Sequence, residues 1–471
     1  MVKIGIYTFA NTAYFVKELI KYNATIEWYT VLPRFQYKDF FTDNSFYLYE
    51  NFELDYDVIV NFTDVNIFNF YKSLEIDKDG YRNINKNKQL KFIFTIYNKY
   101  KMYLLENKLE YFIFPDIETV DGIILLNLCY ELNIIPIYTV HLRQLGKTFF
   151  SSYIDERLPV YFGDYTSDNI QEAEKILENF FTTSSCNLIR DYKDIDIIKP
   201  PVHSKLLKRI VLNIINKIRY EKYYYGEDTL LLKVKSNIVK YLEMYRQKKY
   251  NLYHKNLFDI KSNNNIDELP KNFILFALQV TPESSINSLE PYFIDQIRAI
   301  DLVRLSMPNN FYIVVKEHPS MRGIRATSFY KELRKKAGVI LVSTEVNTKE
   351  VMNRAKLIST VTGTIALESW IMNKPALMFG KSFFSHLIYR YDSYLNFQEE
   401  LKKMIFEHKP MSREEKIIEL AKLYNISYST MLFDPIANPI VMEKGNIKNY
   451  LLAIQNHIKR VEEYKNKVSE V

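Results

Sequence analysis

The chain has 471 residues, with 63 Lys and Arg against 56 Asp and Glu for a net charge of +7. That length exceeds one ordinary core, so two domains are expected, and the charge excess is too mild for a nucleic-acid binder. The two cysteines, Cys129 and Cys186, exclude a disulfide scaffold and fit a reducing cytoplasm; no Cys/His cluster has zinc spacing.

The opening "MVKIGIYTFANTAYF" lacks the layout of a signal peptide. It reads as a buried strand, Lys3–Phe9, running into a helix. Further strands are expected at 57–63, 91–97, 111–116 and 134–140, with a helix over 120–132. Strand–helix–strand alternation implies a parallel sheet with helices on its faces. No apolar run reaches the roughly 18 residues that suggest a membrane span; the nearest candidate, 122–138, carries Asn127, Glu131 and Asn133.

A helix is expected over 169–181. After Pro200–Pro201, which break the chain, Ser204 suits a helix cap. Leu206, Leu207, Ile210, Val211, Ile214, Ile215 and Ile218 then share one helical face. Lys199 to Lys255 holds 14 bases against 4 acids. Two readings fit this segment: a basic amphipathic helix on an anionic membrane surface, or a bundle helix with a solvated basic face.

The polar stretch 262–272 is the expected domain boundary. Beyond it, strands are expected at 273–280, 311–319, 339–344, 357–361 and 375–380. Helices are expected at 292–307, 327–338 (closed by Gly338), 347–356 (capped by Asn347 or Thr348) and 364–373. This pattern predicts a doubly wound α/β domain of about five strands over 266–440, following a first domain over 1–265. A long helix closes the sequence at 447–470.

In an open α/β sheet, ligands bind outside the carboxyl ends of the strands. Three segments deliver polar groups there. "LQVTPESS" offers Gln279, Glu283, Ser284 and Ser285. "VKEHPSMRGIR" offers Lys316, His318, Arg322 and Arg325. "TVTGTIALES" offers Thr362, Gly363 and Thr364 at a strand-to-helix turn suited to a phosphate, with Glu368 one turn on, placed to take a ribose hydroxyl. Each has a plainer reading: Thr364 as a helix cap, His318 as a satisfied loop histidine, Glu368 as a helix-dipole acid. Their convergence on one sheet edge favours a nucleotide-phosphate site.

In the first half, Asp116, Glu118 and Asp121 follow a strand and are candidates for a general base or nucleophile; the competing reading is helix capping. His141, Arg143 and Lys147, from a loop after the next strand, are candidates for binding an anion. Asp-x-Asp triads at 55–57, 77–79 and 194–196 do not sit beside the phosphate-shaped turn, so no metal is expected.

The segments "LQVTPESS", "YFIDQIRAIDLV", "VVKEHPSMRGIRATSFYKEL" and "ISTVTGTIALESWIMNKPALMFG" together resemble the capsule polysaccharide biosynthesis family of bacterial glycosyltransferases, which includes Kdo transferases. The resemblance implies a GT-B fold: two Rossmann-like domains facing across a cleft, with a helix at 441–471 crossing back to the first. It implies that His318–Pro319 holds a cytidine nucleotide and that Thr362 and Thr364 stand where those enzymes often have serines. The implied activity is metal-independent transfer of a sugar from a CMP-activated donor to a surface or capsular glycan or glycolipid. The sugar would be an acidic 2-keto sugar such as Kdo or a sialic-acid relative. No cofactor and no nucleic-acid partner are expected, and the place is the cytoplasm or the inner membrane face. The alternatives are a UDP-sugar GT-B transferase, a nucleotide-sugar epimerase, or a non-catalytic capsule-assembly protein.

Overall fold

The computed structural model describes residues 1–8, 11–22, 25–33, 44–48, 86–115, 117, 119–142, 147–182, 255–281, 286, 290–432, 435 and 438–469. The expected strand at 57–63, the three Asp-x-Asp triads, Cys186 and the basic segment up to residue 254 lie outside them. The described residues form two units. One comprises those up to Asn169 and from Ala421 onward; the other runs from Ile170 to Leu420.

The first unit contains β1 (Val2–Tyr7), α1 (Thr12–Ile20), β2 (Ile26–Leu32), β3 (Ser45–Tyr47), α2 (Lys86–Asn107), β4 (Tyr111–Phe114), α3 (Val120–Glu131), β5 (Ile135–Leu142) and β6 (Lys147–Ser151). The sheet order is β3-β2-β1-β4-β5-β6. All neighbours are parallel except β5 and β6, which pair antiparallel with His141 opposite Thr148. His141 and Lys147, expected beyond the strand, therefore lie on two paired strands. The second of these also bonds to Tyr428 through both backbone groups of Thr148, so its extended form depends on a partner distant in sequence.

The strand expected at 91–97 is instead the middle of α2. Aromatic and β-branched residues there mimic a strand. The buried set Phe92, Ile93, Ile96, Tyr97, Tyr100, Tyr103 and Leu104 continues past residue 97 at helical spacing, and that longer period decides. β2, "IEWYTVL", was not anticipated.

The second unit contains β7 (Phe273–Ala277), α5 (Gln296–Ser306), β8 (Tyr312–Lys316), α6 (Thr327–Arg334), β9 (Val339–Val342), α7 (Thr348–Arg354), β10 (Leu357–Thr360), α8 (Ile365–Ile371), β11 (Ala376–Met378), β12 (Tyr389–Arg390) and α9 (Phe397–Phe406). Two helices bridge the division: α4 (Ser167–Thr182) leads into this unit and α10 (Arg413–Asn425) leads out of it. The sheet order is β12-β11-β10-β7-β8-β9, parallel throughout. β12 is a sixth strand where about five were expected.

Successive residues of these strands serve opposite faces. Ile274, Phe276, Ile313 and Val315 enter one core with Ile300, Val303 and Tyr330. Phe273, Leu275 and Val314 enter the other with Val351 and Met352. Both faces are covered by helices, which is why these strands read as unbroken apolar runs. Local signals behave as expected: Asn347 caps α7 by accepting from the Lys349 and Glu350 amides, and Gly338 adopts φ +76° just beyond α6. The polar stretch 262–272 forms a 3-10 turn, Asn263–Glu268, and its Ile266 and Leu269 are buried in the second core face.

α11 (Lys444–Ser469) packs on the first sheet. Ile447, Tyr450 and Ile454 join Ile4, Ile6, Phe15 and Ile137 in one core, and the Tyr450 hydroxyl meets Thr139 Oγ1 at 2.7 Å. Numbered in chain order, both sheets follow 3-2-1-4-5-6, the doubly wound order with one topological switch point each. These are the two Rossmann-like sheets expected of a GT-B chain.

Candidate functional site

In the second sheet the chain winds outward in opposite directions from β7 and β10, so the crevice opens at their carboxyl ends. Gln279, just past β7, and Thr362, just past β10, close it. Gln279 Nε2 donates to Thr362 Oγ1 at 2.9 Å, and the Thr362 amide donates back to Gln279 Oε1 at 2.7 Å. Gln296, at the start of α5, fixes the same loop. It accepts from the Gln279 amide at 2.9 Å and donates to the Gln279 carbonyl at 3.1 Å and to Thr281 Oγ1 at 3.0 Å. All three side chains are buried, so these bonds are made away from water and hold the two strand ends in register.

Glycines let the backbones close in around Thr362. A Cβ on Gly363 would lie 2.7 Å from Thr360 Oγ1, and one on Gly380, past β11, would lie 2.4 Å from Thr362 Cγ2.

The loop after β8 is organised by Glu317, whose side chain is fully buried. Its carboxylate accepts from the His318 amide at 2.6 Å, from Arg325 Nε at 2.7 Å and Nη2 at 3.3 Å, and from the Tyr330 hydroxyl at 2.6 Å. Arg325 also donates to the Gln279 carbonyl at 2.6 Å. The loop after β8 is thereby tied to the loop after β7. His318 caps the 3-10 turn Pro319–Met321: its Nδ1 accepts from the Ser320 amide at 3.1 Å. A neutral ring in this position carries its proton on Nε2, giving a half-buried donor at the sheet edge.

Lys316 is buried, with its ammonium donating to the Ser343 carbonyl at 3.2 Å. Burial lowers its pKa to about 8, opposed in part by the charge of Glu317. Arg322 is more exposed and pairs with Glu345 at 2.9 Å. Pro319 is exposed, Gly363 and Thr364 are half-buried, and Glu368 is buried in the first turn of α8. Thr364 makes no side-chain cap bond. Glu283 and Ser284 lie outside the described residues.

Sequence reasoning thus brought Gln279, Lys316, His318, Arg325, Thr362 and Gly363 to one edge. It missed Glu317 and Gln296, which hold that edge together. The available signal for Glu317 was an acid directly after an apolar strand, where burial demands a partner.

The first sheet repeats the arrangement with different chemistry. Its switch point lies between β1 and β4. Tyr7, ending β1, donates to Asp121 Oδ2 at 2.8 Å and shares a 2.8 Å hydrogen bond with Thr119 Oγ1. Asp121 is buried in the first turn of α3. Burial, and next the charge of Asp121, push the Tyr7 phenol well above its ordinary pKa. Asp116 and Glu118, like Arg143, lie outside the described residues. His141 Nδ1 meets Thr148 Oγ1 at 3.1 Å, and the Lys147 ammonium lies 4.7 Å from the Tyr424 ring centroid. Among the described residues, no helix is long and apolar enough to cross a membrane.

A sequence model of the family described as capsule polysaccharide biosynthesis protein matches residues 188–416, in keeping with the resemblance seen in the segments from 275 to 380. No curated protein matches the sequence significantly. Among solved structures, the chain is similar to the beta Kdo 2,4 transferase of Thermosulfurimonas dismutans KpsC, at 12% identity and a TM-score of 0.37, covering 73% of this chain and 86% of that one. It is similar also to the beta Kdo 2,7 transferase of the same protein, at 10% identity and a TM-score of 0.36, covering 96% and 99%. A third is the UDP-GlcNAc 2-epimerase of Methanocaldococcus jannaschii, at 10% identity and a TM-score of 0.25, covering 90% and 99%.

Proposed function

We propose that this chain is a glycosyltransferase of capsule polysaccharide biosynthesis that moves an acidic 2-keto sugar, such as Kdo or a sialic-acid relative, from a CMP-activated donor to a glycan or glycolipid. The observation that carries this reading is the family match over 188–416, which encloses the whole carboxyl edge of the second sheet. His318 sits there with its Nδ1 bonded and its backbone held by Glu317, which fixes the ring at this edge. A nucleoside monophosphate leaves with less charge than a diphosphate, which suits metal-independent transfer.

In this reading, Thr364 and Arg322 are the donor-side groups nearest solvent, while Gln279, Thr362, Arg325 and Glu317 position the loops. On the acceptor side the base or nucleophile comes from Asp116, Glu118 or Asp121. Contact with an anionic membrane surface would fall to the 199–255 segment, by its charge.

A thermal-shift comparison of CMP, UDP and GDP tests the donor assignment. CMP is expected to raise the melting temperature and UDP to leave it unchanged; stabilisation by UDP alone would overturn it. Transfer from CMP-Kdo should persist in EDTA and vanish in an Asp116→Ala, Glu118→Ala, Asp121→Ala triple variant that still binds CMP. Retained transfer in that variant would remove the carboxylates from the reaction.

A further inference from the structure

The second unit holds a cavity of about 450 Å³ at the edge of its sheet opposite the one just described. Its walls are Leu177 and Phe181 from α4 and Ile371 from the end of α8; Glu178, Asn373, Arg413 and Lys416 complete it. α8 starts at the carboxyl edge of the sheet, after β10, and ends before β11 begins. Ile371 and Asn373 therefore lie at the opposite, amino edge, a helix length of about 10 Å away.

The polar part of this cavity holds two cations, Lys416 and Arg413, with one carboxylate, Glu178, and one amide, Asn373. Lys416 is 4% exposed. Its ammonium donates to the Ile371 carbonyl at 3.0 Å and to Asn373 Oδ1, and lies 5.8 Å from the Trp370 ring centroid. Both bonded partners are neutral, and among the described residues no carboxylate pairs with it. A buried ammonium without a counter-charge is costly. Arg413, one helical turn before Lys416, adds a second cation at the rim; its contact with Glu178 is 3.5 Å long and both side chains are largely exposed. The remaining wall is mainly apolar. The volume falls within the range of small-molecule sites.

From this pairing of a mainly apolar cavity with two cations three residues apart on one helix of its wall, we propose that the second unit binds a single-chain amphiphilic anion, with its hydrocarbon chain against Leu177, Phe181 and Ile371 and its carboxylate or phosphate head on Lys416 and Arg413. The site is separate from the nucleotide edge and does not depend on the glycosyltransferase reading.

Isothermal titration of the full chain with decanoate and decyl phosphate tests this, with decanol and decyltrimethylammonium as neutral and cationic controls. One or both anions are expected to bind saturably, and the controls at least about tenfold more weakly, the loss expected when a charge-assisted hydrogen bond is removed. Excess CMP should not compete. Arg413→Gln, at an exposed position, leaves the fold intact and should weaken anion binding about tenfold; Lys416→Met should do so by as much or more. No saturable binding, equal binding of the controls, displacement by CMP, or anion affinity unchanged in the Arg413→Gln protein would each overturn the assignment.

Discussion

Glu317→Gln is the most informative single change. The carboxylate accepts four hydrogen bonds from three residues, its side chain is fully buried, and its partner Arg325 is 9% exposed. The amide keeps one acceptor oxygen, which the His318 backbone can retain. Its NH₂ group can donate to the Tyr330 oxygen but faces the Arg325 guanidinium donor to donor. A buried cation loses its counter-charge, a change that costs about 3–5 kcal/mol. For a unit of this size that corresponds to a fall in melting temperature of about 10 °C. Differential scanning calorimetry with and without CMP reads both stability and the donor edge. Removing both charges, as Glu317→Met with Arg325→Met, should recover most of the loss, because two apolar side chains leave no orphaned ion. A single variant within about 1 kcal/mol of the parent, or a double variant as unstable as the sum of the two singles, would refute the view of Glu317 as hub.

Three further outcomes are expected. Lys316 has a folded pKa of about 8, below its unfolded value of about 10.4, so the unfolded chain binds the extra proton between these values and stability rises with pH across that window. Relative to Lys316→Met, the parent should gain about 3 kcal/mol between pH 7 and 10.5 in denaturant titrations; parallel pH profiles would contradict the buried ammonium. Gly380→Ala places a methyl 2.4 Å from Thr362 Cγ2 and should cost about 1–3 kcal/mol by thermal unfolding. Thr362→Ser, which deletes that Cγ2, should rescue part of the loss; no rescue would mean the strain lies elsewhere. Tyr7→Phe removes a donor from buried Asp121 and should destabilise by about 2 kcal/mol, with calorimetry as the check.

The second sheet was legible because its strands are covered on both faces and its helices carry their own caps, as at Asn347. Signal and structure there share one range of a few residues. The first sheet was harder for physical reasons. α2 presents aromatic and β-branched residues whose local pattern is that of a strand, and only its continuation to Tyr103 and Leu104 reveals the helical period. β6 is extended through its pairing with β5 and with Tyr428, 280 residues beyond Thr148, which no local window contains. At the site, residue types were readable but partnerships were not. Glu317 stands between two residues singled out as ligands, yet its role depends on Arg325 and Tyr330 from the following loop and helix.

The two sheets share one strand order but not one chemistry at the switch point. Over β7 and β10 the closing pair is neutral, Gln279 with Thr362, and the nearby carboxylate of Glu317 is neutralised by Arg325. Arg322 is likewise paired, with Glu345, and the Lys316 ammonium is buried against the Ser343 carbonyl. Over β1 and β4 the closing group is a carboxylate, Asp121, bonded to a neutral phenol. A carboxylate at this strand end favours positive charge on a group beside it.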